Sequence, residues 1–197
     1  MMSSVESKRP GMTIDRMRTD IARRSKRGLS FILASIVLWS AIGVIWLLPL
    51  PSIPTKNLIT FFCAVPLLPL AFVFSKIIRA EFSPEDNPLH SLGMLFSINQ
   101  VLYLLIAVWA FAGVPEKLVM IIAVIFGAHL LPFSWLYRSS AYRVMSVIIP
   151  LGAVALGWGL PSNQIVVVPG FMVLAGVVFS LWIFLENKES TVILKQE

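Results

Sequence analysis

Residues 23–56 read RRSKRGLSFILASIVLWSAIGVIWLLPLPSIPTK. The basic residues Arg23, Arg24, Lys26 and Arg27 precede an uncharged run over 29–49, and a single lysine, Lys56, follows it. A run of about 20 apolar residues is what a helix needs to cross a ~30 Å hydrocarbon layer at ~1.5 Å per residue. A basic cluster on one side and near-absence of basic charge on the other gives such a span an orientation.

The pattern recurs along the chain. Apolar runs at 57–78, 91–112, 116–137, 141–159 and 164–186 join 29–49 as candidate spans. Between them lie LPSIPTK, RAEFSPEDNPLH, GVPE, RSSA and LPSN, mostly too short for more than a turn. Consecutive spans are therefore antiparallel, and the Pro, Asn and Asp of SPEDNP are turn residues. The expected fold is all-α: a polytopic bundle of six transmembrane helices at 29–186, flanked by tails at 1–28 and 187–197.

Composition agrees. The 197 residues are 57% hydrophobic and 13% charged, about half the charged share of a soluble domain. The net charge of +6 sits mostly in the N-terminal tail, beside the membrane. Its expected partners are the bilayer and its anionic lipid headgroups, not nucleic acid. Cys63 is the single cysteine, so one chain can form no disulfide framework.

Sorting basic residues by side fixes the expected orientation. Lys8, Arg9, Arg16, Arg18, Arg23, Arg24, Lys26, Arg27, Lys76, Arg79, Arg138, Arg143, Lys188 and Lys195 share the side of the N-terminus. Only Lys56 and Lys117 fall on the other. The positive-inside rule then puts both termini in the cytoplasm. Trp46, Trp109 and Trp158 mark the outer ends of spans, and Trp135, Tyr137, Tyr142 and Trp182 the inner ends. Trp39, in mid-span, is expected to face another helix. Residues 13–28, TIDRMRTDIARRSKRG, place Ile14, Met17 and Ile21 at helical spacing among arginines. They predict an interfacial helix with those three side chains toward the bilayer.

The acids lie outside the spans, which disfavours a proton- or sodium-coupled carrier. No phosphate loop, nucleophile elbow or zinc-protease motif occurs. Cys63, His129 and the scattered methionines form no metal cluster, so no metal and no cofactor is expected.

The best-placed polar groups are Asn99 and Gln100 in the third span and His129 in the fourth. Each is about eight residues from its inner end, roughly 12 Å deep. Tyr103 is one turn beyond Asn99, and Ser97 is near. Pro132 cannot bond the carbonyl of Ala128, which frees an acceptor beside His129 and Ser134. One reading is a polar pocket of Asn99, Gln100, Tyr103, His129 and Ser134. The other is hydrogen-bonded glue between helices. Either predicts Asn99 or Gln100 within hydrogen-bonding reach of His129, directly or through one water. Pro66, Pro69, Pro150 and Pro169 mark spans that could break around a site. Gly152, Ala153, Ala155, Gly157 and Gly159 mark the fifth span as central or dimer-facing.

The segments RGLSFILASIVLWS, TKNLITFF, LAFVFSKII, NPL, LGMLFSINQVLYLLI, VPEKLVM and FGAHLLPFSWLY resemble a family of small bacterial integral membrane proteins of unknown function. The resemblance covers most of the chain from Asp20 on and is weakest in the last two spans. It implies a multi-pass protein of the bacterial cytoplasmic membrane, and no activity. Three functions stay open. The first is transport or permeation of a small polar or amphipathic solute past Asn99, Gln100, Tyr103 and His129. The second is a regulatory or binding subunit that works through a partner protein and the basic N-terminal helix; the partners left open are a homodimer and another membrane protein. The third is a membrane enzyme with His129 as general base.

Overall fold

The computed structural model describes residues 13–161 and 164–193, with side chains through 189. The polar stretch 1–12, part of the LPSN connection and the last four residues lie outside the described residues. The described chain is helical throughout, with no strand. Its helices are α1 Ile14–Arg24, α2 Leu29–Leu47, α3 Ile53–Ala64, α4 Leu67–Ile77, α5 His90–Gly113, α6 Leu118–Ala128, α7 Leu130–Leu136, α8 Ser140–Gly159 and α9 Val167–Ile193. Five helical stretches are long and apolar enough to cross a membrane, and α3 with α4 makes a sixth if counted as one broken span. The protein is a polytopic helical membrane protein.

Local sequence explains the boundaries. Ser52 and Ser139 accept backbone N–H bonds at the starts of α3 and α8, 3.3 Å from Thr55 N and 3.3 Å from Tyr142 N. Side-chain caps of this kind satisfy donors that a helix start leaves open. The run 57–78 is not one straight span: α3 and α4 meet at 42°. Pro66 lacks an N–H and its ring crowds the carbonyl of Phe62. Pro69 repeats the omission one turn on, where α4 has just begun and no N–H is needed. A lone proline is absorbed in α8, which runs through Pro150 unbroken.

Small residues set the centre of the bundle. A Cβ built on Gly127 of α6 would fall 2.5 Å from Pro150 Cδ of α8, and one on Gly157 of α8 would fall 2.6 Å from Met120 Cβ of α6. The helices approach closely here, so Gly152, Ala153 and Gly157 of α8 serve packing inside the chain, while Ala155 and Gly159 are exposed. α2 packs on α9, α4 and α3, while α5 sits at the edge against α6 and α7. Trp39 is buried and its ring meets Phe126 edge-on at 6.3 Å, so it does face a helix.

Both lysines that break the charge asymmetry are helix caps. Lys56 Nζ donates to the Trp46 carbonyl at the end of α2 (3.1 Å), and Lys117 Nζ to the Gly157 carbonyl at the end of α8 (2.7 Å). Each meets carbonyls that the last turn leaves open, at the negative end of a helix dipole. Asn57 Nδ2 donates to the Pro115 carbonyl at 2.8 Å and ties α3 to the start of α6 at this same end.

The opposite end carries most of the charge. Here α1 is docked on the bundle and stops at Arg24. Lys26, Arg27 and Gly28 follow with φ of 48°, 52° and 65°, a left-handed turn that suits glycine and strains the other two. Ile21 is 4% exposed and joins the core, whereas Ile14 is 61% exposed. The expectation that Ile14, Met17 and Ile21 all face lipid is therefore corrected for Ile21. The turn at 26–28 folds α1 back so that its inner face meets protein.

Arg24 holds this arrangement. Its Nη2 is 2.6 Å from Glu81 and 2.6 Å from Asp86, and its Nη1 is 3.3 Å from Asp20. Glu81 first, then Asp86, holds the guanidinium well above its ordinary pKa. Asn87 adds bonds to the Met17 carbonyl (2.9 Å) and to Asp20 (3.0 Å). We expect Arg24→Ala to loosen α1 by about 1–2 kcal/mol, because Arg24 is 21% exposed and water screens part of the attraction. Amide hydrogen exchange in lipid nanodiscs should then quicken several-fold over Ile14–Arg24 and stay unchanged in α8. Unchanged exchange in α1 would show that apolar contact alone holds it.

Candidate functional site

The antiparallel contact of α5 with α6 and α7 places the predicted polar layer. Phe96 meets Phe133 edge-on at 5.7 Å. One turn toward the charged end, a Cβ on Gly93 would come within 3.1 Å of Leu136. Continued the other way, this register would bring Gln100 to the level of His129. Farther along, Ala107 and Ala110 are fully buried beside Leu118 and Ile125.

Among the described residues, no direct bond crosses this layer. His129 Nδ1 lies 2.8 Å from the carbonyl of Phe126 on its own helix, so that nitrogen carries the proton and donates. The ring is held edge-on between Phe126 at 5.9 Å and Phe133 at 5.6 Å. Asn99 Nδ2 donates to the Tyr103 hydroxyl at 2.8 Å, also within one helix. The cause is the aromatic pair Phe96 and Phe133, which fills the space between helices, together with the break at His129 that turns the imidazole back on its own turn. Ser134 is buried on α7 and stands apart from Asn99 and Tyr103.

Exposure separates the group further. Asn99 is exposed and Tyr103 is 38% exposed, while Gln100 and His129 are partly buried. The whole of α5 is unusual: 11% of its span window is buried, against 39–44% for the other unbroken spans. The Asn99–Tyr103 bond leaves the Tyr103 O–H and the Asn99 Oδ1 without a protein partner among the described residues. Turning the amide over would still leave donors and acceptors free. In hydrocarbon such groups are costly until something pairs with them.

Two pockets lie away from this layer. One, of about 10 Å³, lies at the other end beside Lys117 and Gly157. The other is a surface groove of about 450 Å³ between α1 and Arg138, lined by Asp15, Arg16, Thr19, Asp20 and Arg23. Among the described residues no three His, Cys, Asp or Glu side chains are grouped to hold a metal ion.

A family of unknown function, DUF7010, matches residues 14–186. The chain belongs to this family. The matched segment of DUF7010 begins at the first residue of α1 and ends at Glu186, so the docked helix is part of the family's unit. No curated protein and no solved structure matches the chain.

Glu186 lies in a second polar centre that the apolar pattern of the last span hides. It accepts from Ser139 Oγ (2.6 Å), Ser140 Oγ (2.7 Å) and Ala141 N (3.0 Å), which caps α8. Its Oε2 is 3.5 Å from Arg27 Nε. Arg27 donates to Asn187 Oδ1 at 2.6 Å, Asn187 Nδ2 donates to the Lys26 carbonyl at 3.1 Å, and the Tyr142 hydroxyl donates to the Arg27 carbonyl at 2.8 Å. These bonds hold the left-handed turn and join α1, α2, α8 and α9. The sequence signal was an acid and an amide closing the final apolar run, with basic residues opening the first.

Proposed function

We propose that the protein is a non-catalytic binding or regulatory subunit of the bacterial cytoplasmic membrane, which docks another transmembrane helix along α5. The charged end, with α1, would face the cytoplasm, a reading that the asymmetry of basic residues supports. The observation that carries the reading is the Asn99–Tyr103 pair on the exposed face of the least covered span. A polar pair at mid-membrane gains from a protein neighbour and loses against lipid.

Transport past Asn99, Gln100, Tyr103 and His129 is the second reading, and the exposed Asn99–Tyr103 pair favours docking over it. An enzyme built on His129 would have to work through Nε2 alone, since Nδ1 donates to the Phe126 carbonyl and the ring lies between two phenyl rings.

A photoreactive amino acid placed at Leu102 of α5, and in parallel at Leu174 of α9, tests the proposal. Both positions are well exposed, at 60% and 65%. Irradiated native membranes should give a discrete protein adduct from Leu102 and only lipid adducts from Leu174. Lipid adducts alone from both would overturn docking on α5.

A further inference from the structure

The uncovered surface of α5 carries two stripes at alternating steps of four and three residues, the spacing of a left-handed helix pair. Met94, Ile98, Val101, Leu105 and Val108 form one, wholly apolar. Leu95, Asn99, Leu102, Ile106 and Trp109 form the other, with the polar residue second along it. Lipid satisfies the first stripe completely. It cannot satisfy the second, because Asn99 presents an amide with only Tyr103 as its partner.

From this juxtaposition we infer that the occupant of α5 is a second copy of this chain, packed in parallel across a two-fold axis along the membrane normal. The inference rests on the reading of α5 as a docking helix and names its partner. Copies inserted in one membrane share one orientation, so two α5 helices meet in parallel and each seam residue faces its own equivalent. A carboxamide is self-complementary: Asn99 of each copy gives one N–H to the other and accepts one in return. Tyr103 takes the remaining N–H through its hydroxyl oxygen and leaves Oδ1 and the second N–H for the partner copy. A single asparagine in an apolar seam is also the device that fixes register and pairing in parallel helix dimers. The buried contacts of α5 through Gly93, Phe96, Ala107 and Ala110 use a different face, so pairing leaves the bundle as it is.

Single cysteines in a Cys63→Ala background test this in native membranes under mild oxidation. Leu95→Cys, Leu102→Cys and Ile106→Cys should give a disulfide-linked product about twice the 21.9 kDa of the chain. Val101→Cys, Leu105→Cys and Val108→Cys should stay monomeric. Equal linking from both stripes, or none from either, overturns the inference. A protein adduct at Leu102 in the photochemical experiment whose mass is not that of a second copy also overturns it, while leaving docking on α5 in place. Asn99→Val should lower the dimer association constant about tenfold in lipid-dilution energy transfer, and Asn99→Gln should retain most of it. Unchanged association in Asn99→Val, with the monomer's melting also unchanged, would show that the amide does not mediate pairing.

Discussion

Glu186→Ala is expected to destabilise the bundle by about 3–5 kcal/mol, the largest loss among the polar contacts described here. The side chains of Glu186 and Arg27 are 13% and 11% exposed, so water screens little of their interaction. Removing the carboxylate strips Ser139, Ser140 and Ala141 of their acceptor and leaves the Arg27 guanidinium with far less opposing charge. Glu186→Gln should cost less, since an amide oxygen still caps α8, but not zero, since the charge is gone. Combining Glu186→Ala with Arg27→Met should recover part of the loss, because the uncompensated cation goes with it. Thermal unfolding in detergent, followed by intrinsic tryptophan fluorescence, measures all of these. A Glu186→Ala protein that melts with the native one would refute the role of this centre.

The second large effect is steric. Gly127→Ala is expected to cost about 1–3 kcal/mol, and Gly127→Leu to block assembly of α6 on α8. The added Cβ would lie 2.5 Å from Pro150 Cδ and 2.7 Å from Ile149 Cγ2. A proline ring fixed in a helix cannot swing aside, so the backbones must part. Gly159→Ala is the control: nothing lies within 4 Å of its Cβ position, and its melting should match the native protein. Normal folding of Gly127→Leu would mean that the two helices slide past each other freely.

Span positions were legible because a hydrocarbon slab imposes one length and excludes charge, and both are visible residue by residue. The runs 29–49 and 91–112 became Leu29–Leu47 and His90–Gly113. Which proline breaks a helix was not legible. Pro66 has Pro69 one turn on, while Pro150 stands alone with Gly127 opposite its ring, and that difference lies in the neighbours. The depth of Asn99, Gln100 and His129 followed from counting residues. Their lack of a mutual bond did not, since it depends on how α5 is rotated and on the rings of Phe96 and Phe133. The docking of α1 was hidden for a similar reason. Glu81 and Asp86 read locally as members of a polar turn, and their pairing with Arg24 spans more than fifty residues of chain.

The bend between α3 and α4 bears on how the chain enters the membrane during synthesis. α3 has 12 residues and α4 has 11, so each alone reaches little more than half of a ~30 Å slab. Neither half can act as an independent insertion signal. The pair must partition into lipid as one piece and keep its bend hydrogen-bonded or covered as it does so. The cover at hand is α2, which emerges first, is long enough to insert by itself, and packs on both halves. The earlier helix thus offers the broken one a surface on which to assemble as it enters the membrane.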